Sequence, residues 1–241
     1  MSDEESVKKR EQAQRIREMF AAIAPRYDLL NHVLSGNVDR RWRSLLVNRV
    51  ATLLPVCDAR ILDVACGTGD LSLALDAGTE AVVVGLDLCR PMLEIAAAKS
   101  KDRGMKIPFV EGDALNLPFG DKSFDGVSIA FGLRNLASLE EGLRELLRIL
   151  RPGGIVAVLE FSRPQTPILR TLFRLYFTKL LPLLGGLISG SKSAYQYLPD
   201  SVARFPRQSA LAEMMKGIGF TEVTFQNLTG GIAALHLGRR P

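Results

Sequence analysis

Residues 60–70 read R-I-L-D-V-A-C-G-T-G-D, and the architecture of the chain follows from them. The apolar run 61–65 stops at Gly67-Thr68-Gly69, which is typical of a buried parallel strand that ends in a tight turn. Glycine adopts the backbone angles that such a turn needs. Apolar residues from Leu71 onward begin a helix whose first amides face the turn. A strand, a glycine-rich turn and a helix N-terminus together predict a nucleotide pocket.

Asp87 strengthens this prediction, because G-x-G alone is a weak signal. This acid ends the next strand-like run, 81–86, about 20 residues after the glycines. A carboxylate at that spacing can accept hydrogen bonds from both hydroxyl groups of a ribose. We therefore predict that Gly67, Gly69 and Asp87 take part in binding a nucleotide cofactor.

The form of the loop indicates which cofactor it binds. A dinucleotide loop reads G-x-G-x-x-G, but here Ser72 stands at the third glycine position. Asp63 and Asp70 flank the glycines, and carboxylates there would repel a pyrophosphate but suit a cation. S-adenosylmethionine carries both a sulfonium and an ammonium group. The loop thus favours S-adenosylmethionine, with NAD as the alternative cofactor.

Composition argues against several classes of protein. The net charge of +5 comes from scattered basic residues with no dense patch among aromatic residues, which favours a membrane surface over nucleic acid as the anionic partner. Three cysteines without C-x-x-C spacing indicate reduced thiols in a cytoplasmic protein rather than a disulfide framework or a zinc site. The N-terminus is charged and helical, unlike a signal peptide, and no residue spacing predicts a metal site.

Strand and helix patterns alternate along the chain. An amphipathic helix over 6–24 and a second helix over 42–54 precede the first strand. The predicted strands are 60–65, 81–86, 107–110, 124–131, 155–161, 221–227 and 232–237, with helices at 71 onward, 91–103, 139–150 and 208–218. This order predicts an α/β fold, a Rossmann-like, doubly wound and mainly parallel sheet with a terminal antiparallel hairpin and extra N-terminal helices.

We expect one domain over residues 1–241, because this length suits a single α/β domain with accessory helices. Its expected parts are an N-terminal helical cap (6–54), a cofactor-binding core (60–162), a substrate-side cover (165–206) and a terminal helix with the strand pair (208–241). Within the cover, 195–206 is predicted to be a loop folded back over the site.

The apolar stretch 168–188 has two interpretations. Arg170, Arg174, Lys179 and Pro182 interrupt it, so it does not predict a transmembrane span, which needs about 20 predominantly apolar residues. An apolar surface with basic residues could cover a lipid-like substrate or contact anionic headgroups as a peripheral membrane site. The alternative is a helix packed on the sheet.

Several stretches resemble known proteins. D-V-A-C-G-T-G-D (63–70), G-L-D (85–87) and G-D-A-L-N-L-P-F (112–119) resemble class I S-adenosylmethionine-dependent methyltransferases. The stretches at 27–42 (Y-D-L-L-N-H-V-L-S-G-N-V-D-R-R-W) and 148–162 (R-I-L-R-P-G-G-I-V-A-V-L-E-F-S) resemble the two signatures of the ubiquinone/menaquinone biosynthesis C-methyltransferases. F-G-L-R-N (131–135) and 197–206 also resemble that family. Leu30, Asp39 and Arg151 depart from its usual Met, His and Lys.

The resemblance implies methylation of a ring carbon of a polyprenylated quinol, with S-adenosylmethionine as the methyl donor. The main expectation is demethylmenaquinol, and the alternative is a methoxy-polyprenyl-benzoquinol. It further implies that Thr68 and Asp87 contact the donor, that Asp113 and Ala114 flank its adenine, and that Ala130 is another donor contact. From the residues alone, Asp113 could equally cap the turn that follows the third strand.

Catalysis needs an electron-rich ring carbon, and hence partial deprotonation of the neighbouring hydroxyl. His32 is the candidate base, because His236 falls in the last strand, where a packed role is expected. Arg134 is the candidate that stabilises the quinolate, and a structural salt bridge is its alternative role. The substrate-side candidates are Tyr27, Asp28, Asn31 and Asn135. Two competing functions are a methyltransferase for another small molecule, such as a sterol or phenol, and a non-catalytic S-adenosylmethionine-binding scaffold.

Overall fold

A computed structural model describes residues 3–28, 35–54, 58–175 and 192–241, of which 3–6, 172, 174 and 192–196 are described by their backbone alone. The helices are α1 (Asp3–Ile23), α2 (Val38–Leu53), α3 (Asp70–Gly78), α4 (Arg90–Asp102), α5 (Leu139–Ile149), α6 (Pro167–Leu175), α7 (Lys192–Arg204) and α8 (Gln208–Ile218). The strands are β1 (Arg60–Val64), β2 (Val82–Asp87), β3 (Phe109–Glu111), β4 (Phe124–Ala130), β5 (Leu150–Phe161), β6 (Thr221–Leu228) and β7 (Ala233–Arg239). Short 3-10 turns lie at Ala24–Arg26, Leu133–Asn135 and Thr229–Gly231.

The strands form one sheet in the order β3-β2-β1-β4-β5-β7-β6. The central strand β1 runs parallel to both neighbours, with Leu62 opposite Val84 of β2 and Val127 of β4. β7 runs antiparallel between β5 and β6. The predicted doubly wound, mainly parallel sheet with a terminal antiparallel pair is confirmed. Its strand order reverses between β1 and β4, where open α/β sheets bind their ligands.

Apolar side chains cover both faces of the sheet. Successive strand residues point to opposite faces, so Leu62 and Ile61 belong to different clusters. Leu62 shares its cluster with Met215 of α8 and with residues of α5, and Ile61 shares the other with Leu46 of α2 and with residues of α3. Burying one side chain of this size contributes roughly 1.5–3 kcal/mol. The helices are therefore held firmly against the sheet, which fixes the strand ends.

Helix α1 reaches the carboxyl edge of the sheet. Its Lys9 pairs with Glu141 of α5 at 2.6 Å, and its Arg17 pairs with Glu111, the last residue of β3, at 3.2 Å. Phe20 meets Tyr27 edge-on, with 5.9 Å between ring centroids. The predicted helix over 6–24 is confirmed, with bounds at Asp3 and Ile23.

The prediction of a loop over 195–206 is wrong, because residues 195–204 belong to α7, with Pro199 inside the helix, and only 205 and 206 follow it. Proline removes one helical hydrogen bond, which is why the pattern indicated a loop. However, Val202 and Phe205 are buried, and Ser201 Oγ donates to the Leu198 carbonyl. Packing of this apolar face therefore outweighs the defect at Pro199.

Helix α6 contains the first part of the apolar stretch 168–188, whose residues 176–188 lie outside the described part of the chain. One side of α6 is packed, since a Cβ placed at Gly230 would lie 2.4 Å from Leu169 Cδ2. The other side faces outward, with Ile168 77% exposed. Among the described residues, the helices are all too short or too polar to cross a membrane.

Candidate active site

Two strained residues mark the point where the strand order reverses. Ala65 directly follows β1 and Phe131 directly follows β4, and their φ angles are 52° and 57°. Positive φ is uncommon outside glycine and persists where surrounding contacts enforce it. A Cβ on Gly132 would lie 2.5 Å from the Ala65 Cβ, so the two strand ends approach as closely as a glycine permits. The backbone is therefore held in an unusual form at the expected ligand site.

A cavity with about 780 Å³ of open space, its mouth included, lies at these strand ends. α1 contributes Ala13, Ile16 and Phe20 to its wall. The other lining residues come from strand ends, from the loops and 3-10 turn that follow them, and from the start of α4: Tyr27, Ala65, Gly67, Leu86, Asp87, Leu88, Met92, Gly112, Asp113, Ala114, Leu115, Ala130, Phe131, Gly132, Asn135, Leu136 and Ala137. We call this space the donor cavity.

The three residues of the glycine turn, 67–69, make different contacts. Gly67 lines the donor cavity with φ of 56°. Gly69 has φ of 81°, and a Cβ there would lie 2.9 Å from Ala96 of α4, so its absence of a side chain serves helix packing. Thr68 is buried and donates to Asp28. Of the three predicted loop positions, the structure brings only Gly67 to the cavity wall.

Asp87 joins β2 to the glycine turn. Its Oδ2 accepts from the Gly67 amide and its Oδ1 from the Cys89 amide, both at 2.8 Å. Burial raises the pKa of this carboxyl group, while these amide donors lower it. The carboxylate thus fixes the shape of the turn and lines the cavity at the same time.

Asp113 caps the turn that follows β3. Its Oδ1 accepts from the Leu115 amide at 2.9 Å, which is the turn-capping role that the sequence left open. Asp113, Ala114 and Ala130 all line the donor cavity. Their contact with an adenine or another part of a donor remains a prediction.

The two acidic residues that flank the glycine turn, Asp63 and Asp70, already have hydrogen-bond or ion-pair partners within the protein. Asp63 is buried and accepts from Ser72 Oγ at 2.6 Å and Ser128 Oγ at 3.0 Å, and burial raises its pKa to about 7. Asp70 pairs with Arg43 at 3.0 Å and also with Lys99. Both carboxylates flank the glycines as predicted, but these partners offset their negative charge and neither of them lines the donor cavity.

The segment after α1 contacts the glycine turn. Tyr27 lines the donor cavity, and Asp28 accepts from Thr68 Oγ1 and pairs with Lys99 at 2.9 Å. Asp28 therefore serves the polar network around the turn. The predicted Asn31 and His32 lie outside the described residues.

Arg134 forms a buried ion pair in the 3-10 turn after β4. Its Nη1 donates to Glu160 Oε1 at 2.7 Å and to the Phe131 carbonyl, and its backbone amide donates to Glu160 Oε2 at 3.1 Å. The side chains are only 7% and 1% exposed, and the guanidinium lies 5.3 Å from the centre of the Phe161 ring. The structural salt bridge is thus present. Among the described residues, Arg134 Nε has no hydrogen-bond partner.

A second cavity lies between α1, the 3-10 turn of Arg134 and α7. It has about 1660 Å³ of open space, its wide mouth included. Its lining residues are Gln12, Arg15, Ile16, Glu18, Met19, Arg134, Leu136, Leu139, Tyr197, Ser201, Arg204 and Phe205. We call it the α7 cavity. Ile16 and Leu136 also line the donor cavity, so the two spaces share a wall.

His236 is buried in β7, as expected of a packed residue. Its Nε2 lies 2.9 Å from the Gln208 carbonyl oxygen, and burial lowers its pKa. Within the described part of the chain, no cluster of three or more His, Cys, Asp or Glu side chains could hold a metal ion.

Sequence reasoning missed several residues of these cavities. The missed set comprises Ile16, Phe20, Leu88, Met92 and Tyr197 on the walls, with Glu160 and Lys99 behind them. The apolar face of α1 was a usable signal for Ile16 and Phe20. Glu160 and Lys99 gave none, because their partners lie 26 to 71 residues away in the chain.

Comparison with known structures supports the class of fold. A solved S-adenosylmethionine-dependent methyltransferase from Thermotoga maritima superimposes with a TM-score of 0.63 and 20% sequence identity, and the match covers 93% of this chain and 99% of that chain. The strand order, the glycine turn and the donor cavity are those of the class I methyltransferase fold.

The family follows from sequence comparison. The model of the ubiE/COQ5 methyltransferase family matches residues 8–240. A demethylmenaquinone methyltransferase of Thermus thermophilus is 51% identical over 92% of this chain and 100% of that protein. A ubiquinone/menaquinone biosynthesis C-methyltransferase of a Geobacter species is 44% identical over 95% of this chain and 98% of that protein. The chain belongs to the ubiE/COQ5 methyltransferase family, and the expected methyltransferase activity in quinone biosynthesis is confirmed.

Proposed function

We propose that the protein transfers a methyl group from S-adenosylmethionine to a ring carbon of demethylmenaquinol, in the pathway to menaquinone. The observation that carries this proposal is the 51% identity to a demethylmenaquinone methyltransferase along the whole length of that protein. The two adjoining cavities support it, because the reaction needs one site for the donor and another for an apolar quinol.

The residues of the donor cavity fit the donor. S-adenosylmethionine supplies a methyl group already activated on a sulfonium, so the chemistry requires no metal. Asp87 would accept hydrogen bonds from the ribose with the lone pairs that the two amides leave. Asp113 and Ala114 would flank the adenine, and apolar Leu88 and Met92 would pack against it. Gly67 and Ala130 would line the path of the methionine part, and Thr68 and Gly69 would hold the turn.

The quinol side activates the ring carbon. The fixed positive charge of Arg134 would stabilise the quinolate form of the hydroxyl next to that carbon. We propose His32 as the base that takes the hydroxyl proton, and Tyr27, Asp28, Asn31 and Asn135 as residues on the substrate side. The ring carbon forms its bond to the methyl group as the S–CH₃ bond breaks and S-adenosylhomocysteine leaves. The ring proton then passes to water, and the oxygen regains its proton from the base, which restores the aromatic quinol. Aligning donor and ring carbon can lower the barrier by roughly 7–11 kcal/mol.

The prenyl tail of the substrate requires contact with a membrane. Each CH₂ group moved into water costs about 0.8 kcal/mol, so the tail stays in the bilayer or in an apolar site. We propose that the protein is cytoplasmic and docks on the membrane through 168–188, where Ile168 and Arg170 are both exposed. Residues 6–54 would act as the cap and 165–206 as the cover of the substrate side.

The proposal is tested by supplying the purified protein with S-adenosylmethionine carrying a deuterated methyl group and with reduced demethylmenaquinone. We expect one labelled methyl group on a ring carbon, found by mass spectrometry. Faster transfer to a methoxy-polyprenyl-benzoquinol would support the ubiquinone alternative, and transfer to a simple phenol or sterol would support another small-molecule substrate. Binding of S-adenosylmethionine without transfer would support the scaffold, and tighter binding of NAD in calorimetry would refute the donor assignment.

A further inference from the structure

One hydrogen bond crosses between the two cavities. Asn135 lines the donor cavity and Tyr197 lines the α7 cavity. The Tyr197 hydroxyl lies 3.1 Å from Asn135 Oδ1, although the residues are 62 positions apart. Asn135 Nδ2 in turn lies 3.4 Å from the Phe131 carbonyl oxygen. The side chain of Asn135 is thus held from both ends of its amide.

The chemistry of the two neighbours fixes which way the amide points. A carbonyl oxygen can only accept, so the amide atom that faces Phe131 must be the nitrogen. The oxygen then faces Tyr197, whose hydroxyl must donate. One hydrogen of Nδ2 is used by Phe131, which leaves the second hydrogen to a ligand. Burial raises the pKa of Tyr197, so its hydroxyl remains a donor at working pH.

We propose that Tyr197 is a positioning residue for the quinol, which it serves by orienting the Asn135 amide from the α7 cavity. This inference rests on the proposed function. The substrate class is a hydroquinone with an apolar substituent, because the α7 cavity combines apolar residues such as Ile16, Met19 and Phe205 with the cationic Arg15, Arg134 and Arg204. The second Nδ2 hydrogen and the Arg134 charge would then serve the same quinol oxygen. Tyr197 itself does not enter the reaction.

The anchoring of Tyr197 supports this role. It belongs to α7, whose Val202 is buried, and the helix contacts both α1 and the 3-10 turn of Asn135. Tyr197 is therefore carried by α7 and Asn135 by the 3-10 turn after β4, and their hydrogen bond joins these two elements. A quinol that fills the α7 cavity would find the amide already oriented.

The test is a double-mutant cycle of Tyr197→Phe and Asn135→Ala, with kcat and KM measured on reduced demethylmenaquinone and the Kd of S-adenosylmethionine measured by calorimetry. Tyr197→Phe removes one oxygen and should lower kcat/KM for the quinol about 5- to 10-fold, the effect of one neutral hydrogen bond. The Kd of S-adenosylmethionine and the melting temperature should stay as in the wild type. In the Asn135→Ala background, Tyr197→Phe should have no further effect, because it acts through Asn135.

Asp200→Asn is the control, since Asp200 is an exposed residue of the same helix and lines neither cavity. It should behave as the wild type. The positioning role would be refuted if Tyr197→Phe kept the wild-type kcat/KM, or if the effects of Tyr197→Phe and Asn135→Ala simply added in the double mutant. Either result would leave the proposed function itself standing. A wild-type protein that binds S-adenosylmethionine but does not methylate the quinol would refute the proposed function and this inference with it.

Discussion

Asp87 has two functions that one carboxylate can combine. It accepts from the amides of Gly67 and Cys89, and it lines the donor cavity. We expect Asp87→Ala to weaken S-adenosylmethionine binding by about 1.5–3 kcal/mol, the range for a hydrogen bond to a charged group. The variant should also lose about 1–3 kcal/mol of folding free energy, because two amides lose their partner. Calorimetry below the melting temperature separates the two effects.

Asp125 provides the matched control for Asp87. It is also a strand carboxylate that accepts from a backbone amide, that of Arg60, at 2.9 Å. It lies at the amino end of β4, away from the donor cavity. Asp125→Ala should therefore lose stability without losing affinity for S-adenosylmethionine. Equal affinities in the Asp87→Ala variant and the wild type would show that the ribose assignment is wrong.

Asp63 should make stability depend on pH. Burial raises its pKa from 3.8 to about 7, although Ser72, Ser128 and the charge of Arg43 lower it and the charge of Asp87 raises it. Between about pH 4 and 7 the folded protein holds a proton that the unfolded chain has lost, so this residue reduces stability progressively as pH rises through that window. Above about pH 7 the full penalty is present.

Asp63→Asn does not titrate and thereby isolates this effect. The wild type should lose stability as the pH rises, and the variant should not. The free energy of unfolding of the variant minus that of the wild type should therefore be about 2–3 kcal/mol larger at pH 8 than at pH 5. Urea denaturation of both proteins at the two pH values measures the difference, in which other titrating groups such as His236 cancel. A difference that is the same at both pH values would contradict the raised pKa.

For single residues, the sequence predicts the positions of motif residues better than it predicts which residues they contact. Gly67 and Asp87 could be found because the turn and its acid have a fixed spacing along the chain. The pairs Arg134–Glu160 and Tyr197–Asn135 are 26 and 62 residues apart, so only the folded sheet brings them together. In the same way, Asp63 and Asp70 could be located beside the glycines, but their partners Ser128 and Lys99 lie 65 and 29 residues away in the chain.

At the scale of elements, Glu160 at the end of β5 fixes the 3-10 turn that carries Arg134 and Asn135. Glu160→Gln would leave a buried guanidinium without its counter-charge, which costs about 3–5 kcal/mol. Glu140→Gln is the control, because Glu140 pairs with Arg144 at 3.0 Å on the surface, where a pair contributes about 0–1 kcal/mol. Urea denaturation measures the free energy of unfolding of both variants. Equal losses of stability would mean that the ion pair of Glu160 contributes no more than a surface ion pair.

Elements with a regular apolar pattern could be predicted, and α7 could not. The strands and the helices flanking them have clear periodicity, and β1, β2, β4 and α8 lie within a few residues of their predicted bounds. Pro199 indicated a loop, but burial of Val202 and Phe205 depends on tertiary contacts that a local pattern does not contain. Residues 29–34, with the predicted His32, lie outside the described part of the chain.

At the scale of the whole molecule, the doubly wound topology could be predicted, because alternating strands and helices with right-handed crossovers allow few other arrangements. The position of α1 over the donor cavity could not be predicted, because an amphipathic pattern shows that one helix face is buried but not which surface it packs against. The lining by Ile16 and Phe20 appears only when the helix is packed against the strand ends.

Membrane docking is also a property of the whole molecule. Ile168 is exposed on α6, and Arg170 lies on the same helix. We expect Arg170→Glu/Arg174→Glu/Lys179→Glu to reduce binding to anionic vesicles in a salt-dependent way, since each basic residue near anionic lipid contributes about 1 kcal/mol. Activity on a quinol with a truncated, soluble tail should change little. Vesicle flotation at low and high salt measures the binding.

Lys101→Glu/Arg103→Glu/Lys106→Glu is the control for docking, because it makes the same change in net charge at exposed positions near the end of α4. It should bind vesicles nearly as well as the wild type. If both triple variants lost vesicle binding equally, the attraction would depend on net charge alone. If the wild type did not bind vesicles at low salt, docking through 168–188 would be excluded.

Methylation of the demethylmenaquinol ring by this protein can be tested in the cell, through the quinones of a strain in which its gene has been deleted. Extracted quinones are identified by mass, before and after the gene is restored. We predict that demethylmenaquinone accumulates in the deletion strain, and that the wild-type gene restores menaquinone while the Asp87→Ala gene restores it poorly. An unchanged quinone pool, or loss of a methyl group from a different quinone, would contradict the account.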